Sequence, residues 1–388
     1  MKLAKIVFSV FSSLLSAGSL FAQGGSSHCA HSGNEDALFQ LSVFTSVAAG
    51  GGSDRDFRHA LHGHDPERGL RLQGIELDAF SNLTSYVQGY VNGNFYLENK
   101  SLKGEWEEGY VKVHSLPAGF EIRAGRFLTL TGAQNHVHLH DWSFVDADLM
   151  TSQFLGEDAL AIEGGELSWF YIYENYGVVG LYVSAGEVVG HEEEHDLGSV
   201  SHGNEGGFEG SVLSFRASIH HYVNDYHQHF VSLSAVLGEN GYGGDNDTAL
   251  LAAEYTYSWN DRVSESWGPS VDSTVQLMHR TVEWEEAGKS GDSGQLAAMV
   301  SSVYNFAPKW DAAARVEWLE GQSEGAFEAE ELKRLSFALT RRFSLAETSK
   351  DAAAPEGRVR LQYNWDKRGN DDEHSIWLQF NLGHSWSW

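Results

Sequence analysis

Along most of the chain apolar and polar residues alternate one by one, the period at which a strand sends successive side chains to opposite faces. In 358–366, Val359, Leu361, Tyr363 and Trp365 share one face, and Arg358, Arg360, Gln362, Asn364 and Asp366 the other. The preceding segment repeats the pattern, with Leu335, Phe337, Leu339 and Phe343 opposed to Arg334, Ser336, Ala338, Thr340, Arg342 and Ser344. The pattern predicts strands over 37–48, 69–80, 83–97, 104–115, 119–129, 164–174, 177–188, 209–222, 227–238, 248–259, 270–285, 294–306, 309–319, 332–345, 356–367 and 373–384. That is an even number, sixteen, so the first and last strands can pair antiparallel and close a barrel.

Alternation alone suits a soluble sandwich, apolar face inward, as well as a membrane barrel with that face on lipid. Three features favour the barrel. Aromatic residues gather at strand ends, as in Tyr255, Tyr257 and Trp259 and in the stretch from Trp377 to Trp388, where interfacial girdles lie. Connections alternate between tight ones, such as the turn at Leu116-Pro117-Ala118-Gly119, and the long, acidic, His-rich 128–163 and 189–208. Finally, Ile376, Leu378, Phe380, Leu382, Trp386 and Trp388 share one parity. Of these, Phe380, Leu382, Trp386 and Trp388 resemble the terminal signal by which outer-membrane barrels are recognised for assembly. The expected fold is therefore all-β: a transmembrane antiparallel β-barrel of the outer-membrane type, about 16 strands, with the loop 128–163 folded into the lumen.

Composition narrows the class. With 54 Asp and Glu against 26 Lys and Arg, the net charge of -28 excludes a nucleic-acid binder, because affinity for phosphate backbones comes from Lys and Arg releasing counterions. A chain that is 41% hydrophobic and 12% aromatic is not a charge-expanded coil. The 42 Gly, 12 Trp, 15 Tyr and 21 Phe against 5 Pro suit aromatic strands joined by glycine-rich turns. Residues 1–22, with Lys2 and Lys5 ahead of an apolar stretch ending at Ala22, read as a secretory signal peptide. A polar tail, 23–36, and the barrel, 37–388, follow. No later apolar run reaches the roughly 18 residues of a membrane helix, and the single cysteine, Cys29, forms no internal disulfide.

Candidate chemistry lies in the loops. His136, His138, His140 and Asp141 put three imidazoles and a carboxylate within six residues, donors that suit Zn²⁺ or Cu²⁺. An extended H-x-H-x-H would project the three rings from one face; the alternative is a hydrogen-bonded set that organises the loop against the wall. His191-Glu192-Glu193-Glu194-His195 matches H-E-x-x-H, but Gly190 before it and Gly198 after it leave no room for the helix that motif needs, so it reads as a solvated acidic loop. Gly291-Asp292-Ser293-Gly294 reads as a turn. His28, Cys29 and His31 lack a fourth ligand, and His59, His62, His64, His220, His221, His227 and His229 read as surface or interfacial residues. For permeation, Arg334, Arg342, Arg358 and Arg360 face the lumen by parity, and the long loop carries Asp146, Asp148, Glu157 and Asp158. Folded inward, those carboxylates would oppose the arginines and set a transverse field in a constriction. Otherwise the arginines pair with lumen acids such as Asp366.

The segment 104–170 resembles a family of outer-membrane barrels of Gram-negative bacteria labelled zinc-regulated outer-membrane receptors or porin-like proteins. The resemblance rests on Glu107-Glu108, Leu116-Pro117-Ala118-Gly119, Ala124-Gly125-Arg126-Phe127, Asn135-His136-Val137-His138, Asp141-Trp142 and Phe144-Val145-Asp146. It covers about a sixth of the chain and implies a link to zinc. The expected function is a porin-like channel in the cell outer membrane for passive diffusion of small polar solutes or ions, with no reaction catalysed and no cofactor required. The alternatives are a receptor that captures Zn through loop histidines and an outer-membrane hydrolase. The expected partners are outer-membrane lipids, the barrel assembly machinery and, by analogy with porins, two further copies in a homotrimer.

Overall fold

The computed structural model describes residues 38–53, 66, 68–98, 101–156, 159–173, 176–189, 207–242, 246–261, 268–286, 288–322, 331–345 and 356–388. The expected signal peptide and polar tail lie outside them, as do His28, Cys29, His31, His59, His62, His64, the 191–195 motif, Glu157 and Asp158.

The alternating segments form β1 (Phe39–Gly52), β2 (Gly69–Asn82), β3 (Val87–Glu98), β4 (Ser101–Val113), β5 (Phe120–Leu128), β6 (Ala161–Tyr173), β7 (Gly177–Val188) and β8 (Phe208–Asn224). The second half continues with β9 (His227–Asn240), β10 (Asp247–Asn260), β11 (Ser270–Glu286), β12 (Lys289–Ala307), β13 (Trp310–Leu319), β14 (Leu332–Ser344), β15 (Glu356–Arg368) and β16 (Asp371–Ser387). Each strand pairs antiparallel with its neighbours in sequence, and β1 pairs with β16 from Gln40 opposite Ser387 to Gly52 opposite Ser375. The barrel is closed, so no strand leaves a row of unpaired backbone groups. At the seam the Leu38 amide donates to the Trp388 carbonyl at 2.8 Å, and Phe39 stacks on Trp388.

The two faces sort as the parity predicts. Leu167, Val183, Leu233, Leu277, Val300, Val316, Phe337, Leu361, Ile376 and Leu378 are exposed on the outside, while Arg216, Gln276, Arg315, Arg334, Ser336, Gln362 and Gln379 are buried on the inside. Such an apolar outer belt in water would expose far more contiguous apolar surface than a soluble monomer tolerates. A closed barrel, apolar outside and polar inside, belongs in an outer membrane.

Two expectations need correction. Gly291-Asp292-Ser293-Gly294 is not a turn but part of β12, because the alternation continues through it: Ser293 is buried inside and accepts from Trp284 Nε1 at 3.2 Å. The chain reverses instead around Gly288. Trp377 does not join an interfacial girdle. It has the parity of Ser375 and Gln379, so its ring is buried in the lumen against Ala48 and Val145.

The lumen holds a core of its own. The connection between β5 and β6 carries one short helix, α1 (Leu149–Leu155), which buries Met150, Phe154 and Leu155 against Val212, Val236, Leu250, Met278, Met299 and Leu319 of the inner wall. Apolar residues at lumen positions of β8 to β13 thus serve as a seat for this helix.

Candidate functional site

The site is the connection between β5 and β6, whose described residues 129–156 enter the barrel and run along its inner wall. Gly132 makes the first bend, at φ +67, a left-handed conformation that glycine adopts without strain; an added Cβ there would also strike Met278 and the Gln276 amide. Arg216 holds this bend by donating to the Leu130 and Gly132 carbonyls at 3.0 and 3.2 Å, and Gln276 Oε1 accepts from the Ala133 amide at 2.7 Å. Asn135 ties the two ends of the connection together. Its Nδ2 donates to the carbonyls of Thr129 (2.8 Å) and Leu160 (3.2 Å), and its Oδ1 accepts from the Leu160 amide (2.7 Å).

Beyond Asn135 the chain meets an acidic arc of wall on β2 to β4. The pairing of β3 with β4 shifts by one residue, so that Asn92 faces Glu108 but Gly93 faces Trp106. Glu107 is the extra residue of this bulge, and bulges re-aim side chains. Adjacent residues that alternation would send to opposite faces therefore both reach one imidazole: His138 Nδ1 lies 2.8 Å from Glu107 Oε2, and Nε2 lies 3.0 Å from Glu108 Oε2. Glu108 is itself fixed by the Leu128 amide, 2.9 Å from its Oε1. His140 Nδ1 lies 3.0 Å from Glu76 Oε2, its Nε2 lies 3.5 Å from Asp141, and its ring stacks on Phe44 at 3.7 Å.

Burial alone would lower the pKa of His138, but its bonds to Glu107 and Glu108 outweigh that and hold it well above the ordinary imidazole range. Burial is likewise overcome at His140, whose pKa is raised by Glu76 and, more weakly, by Asp141 and Asp78.

The chain then crosses to a basic arc on β13 to β15. Asp146 is the anchor there. Its Oδ1 lies 2.5 Å from Arg315 Nη2 and its Oδ2 3.4 Å from Arg334 Nη1, and Gln362 and Asn364 donate to it at 2.9 and 2.6 Å. Arg334 Nε also donates to Asp366 at 2.6 Å, and Arg315 Nε meets Glu317 at 2.8 Å. Arg360 donates to the Phe144 and Trp142 carbonyls at 2.8 and 2.6 Å, and Arg358 donates to the His140 carbonyl. Burial would raise the pKa of Asp146, but Arg334 and Arg315, with the two amide donors, keep it below the usual carboxylate range. At Asp148, the N-cap of α1, burial prevails and raises the pKa although the side chain accepts from the Thr151 amide at 2.6 Å.

The sequence-predicted residues thus divide. His138, His140, Asp146, Arg334, Arg358 and Arg360 all belong to the docked connection and its wall. Arg342 lies opposite Arg358 in the pairing of β14 with β15, and it pairs with Asp311 at 3.0 Å. Asp148 caps a helix, with Arg315 near enough to act on its charge, and Asp146 touches its arginines instead of opposing them across a gap.

The extended H-x-H-x-H is not formed, because Leu139–Asp141 is a 3-10 turn. The donors it brings within 4.8 Å of one another are His138, Glu76 and Glu107, not His136 or Asp141. Glu76, Glu107, Glu108, Arg216, Arg315 and Glu317 were missed as site residues. Glu76 and Arg315 carry a signal, a charged residue among apolar neighbours on the lumen parity, whereas the bulge that aims Glu107 has none.

No family model matches the chain. The anion-selective porin from Comamonas acidovorans is similar in fold, at 10% identity and a TM-score of 0.51 over 90% of this chain and 98% of that one. The in-vitro folded OmpT, an outer membrane protein of Vibrio cholerae in its trimer form, is similar at 12% identity and a TM-score of 0.50, over 90% and 98%. At such identities the similarity is one of fold: this chain is a closed 16-strand antiparallel barrel that resembles outer-membrane porins. An uncharacterized protein of Aquifex aeolicus (strain VF5) is 30% identical over 132 residues, 33% of this chain and 27% of that protein. The chain therefore matches only about a quarter of that relative's length.

Proposed function

We propose that the protein is a passive outer-membrane channel for small polar solutes or ions, narrowed by the connection 129–160, and that it catalyses no reaction. The observation that carries this reading is the sorting of charge inside the barrel. β2 to β4 present Glu76, Asp78 and Glu108 to the lumen, whereas on β13 to β15 the arginines Arg315, Arg334, Arg342, Arg358 and Arg360 outnumber the acids among them, Asp311, Glu317 and Asp366. A transverse field between fixed charges of opposite sign orients a dipolar solute and discriminates ions. The expected loop-to-wall field is thus replaced by a wall-to-wall field.

Liposomes carrying the purified barrel should swell in isosmotic glycine or a pentose and swell more slowly as solute size rises. Failure to swell with any small polar solute would remove the channel reading. A homotrimer, as in the trimer form of OmpT, is the expected assembly, with lipid and the barrel assembly machinery as partners; light scattering in detergent should give three chains per particle.

A further inference from the structure

We propose that Glu76, Glu107 and His138 form a lumenal binding site for one divalent transition-metal cation of the zinc class. This inference does not depend on whether the barrel conducts. One donor atom from each of the three lies within 4.8 Å of the other two, although they come from β2, β4 and the inward connection. Around a zinc ion, ligand atoms at about 2.0–2.2 Å from the metal lie roughly 3.3 Å from one another, so the widest pair needs to close by at most about 1.5 Å, and His138 Nδ1 and Glu107 Oε2, 2.8 Å apart, need to open slightly. An imidazole nitrogen with carboxylate oxygens is a donor set that zinc-class ions accept and that hard cations such as Ca²⁺, which take oxygen, use poorly.

Three further observations point to a ligand. Glu76 is 1% exposed, and its Oε1 is buried without a hydrogen-bond partner, while its Oε2 is engaged by His140. A buried carboxylate oxygen left unsatisfied is costly unless a cation meets it. The second observation is charge. Glu76, Asp78, Glu107, Glu108 and Asp141 gather five carboxylates around His138 and His140. Such a concentration of carboxylates favours a cation among them.

The third is the support behind the ligand. A metal replacing the proton between His138 Nδ1 and Glu107 leaves Nε2 donating to Glu108, 3.0 Å away, whose other oxygen is pinned by the Leu128 amide. Metal-bound histidines are commonly oriented by such a carboxylate on the second ring nitrogen. The site differs from the run of histidines legible in the sequence, for two of its three ligands lie on strands and neither His136 nor Asp141 takes part.

Titrating Zn²⁺ into the folded full-length protein by calorimetry should show one saturable site per chain, and Co²⁺ should give a visible absorption band at the same stoichiometry. Glu107→Gln and Glu76→Gln should each weaken binding about tenfold or more, and His138→Gln should abolish the Co²⁺ band. His229→Gln, on the outer wall, should leave both unchanged. Heat-shifted gel migration of each variant verifies the barrel; should His138→Gln fail to fold, the two glutamine variants on the strands decide. Absence of saturable binding, unchanged affinity in both strand variants, or displacement of Zn²⁺ by equimolar Ca²⁺ would overturn the proposal.

Discussion

Asp146 shows how one side chain fixes the path of the inward connection. It meets Arg315, Arg334, Gln362 and Asn364, four groups on three strands, all inside the barrel. Removing one partner of a buried ion pair leaves the other charge uncompensated, at a cost of about 3–5 kcal/mol. Asp146→Asn should therefore loosen the connection, measured as faster protease cleavage within 129–160 in an otherwise folded barrel.

The pH dependence follows from the sign of the shift. A carboxyl whose pKa is depressed in the folded state contributes fully above its unfolded value, about 3.9, and loses that contribution as pH falls through the folded value. With Asp146 depressed, the connection should remain docked from neutral pH down to about 4 and release only in stronger acid. Trp142, buried next to the arginine arc, reports this by its fluorescence, and release beginning near pH 6 would contradict the assignment.

At this scale the sequence was informative about which face a residue takes but not about its partner. Arg334 faces the lumen by parity, yet Asp146, its partner, lies far away in sequence, and parity carries no information on height or on the course of a loop. His138 and His140 stand out as residues, while Glu107 does not, because only the bulge opposite Asn92 and Gly93 turns it inward.

The element that seats the connection is α1. Its apolar face, Met150, Phe154 and Leu155, fits into lumen positions that carry Leu250, Met278 and Met299 instead of polar residues. Phe154 is fully buried; Phe154→Ala should cost about 3–5 kcal/mol by leaving a cavity. Asp148→Ala, which removes the N-cap, should cost about 1 kcal/mol. Both are measured as increased accessibility of a cysteine placed at Gln153, and the larger effect should belong to Phe154.

The strands were legible because alternation runs through most of each one, even where a bulge interrupts the register. The helix was not: seven residues are too few to show a period of 3.6 above an apolar run, and its burial depends on a wall far away in sequence. The 3-10 turn at Leu139–Asp141 was equally hidden, and it breaks the one-face projection expected of three alternating histidines.

For the whole molecule, an even number of alternating segments implied closure, and the β1 to β16 seam realises it. The net charge of -28 that excluded nucleic acid gains a finer meaning inside the barrel, where acids predominate on β2 to β4 and arginines outnumber the acids paired with them on β13 to β15. The claim that rests on this arrangement is that solutes cross the lumen past a docked connection. Single-channel recording in planar bilayers tests it most directly, comparing the wild-type barrel with Asp146→Asn at neutral pH. Discrete conductance steps from the wild type, replaced by larger and noisier ones in the variant, are the expected result. A wild-type barrel that inserts, folds and passes no current would contradict it.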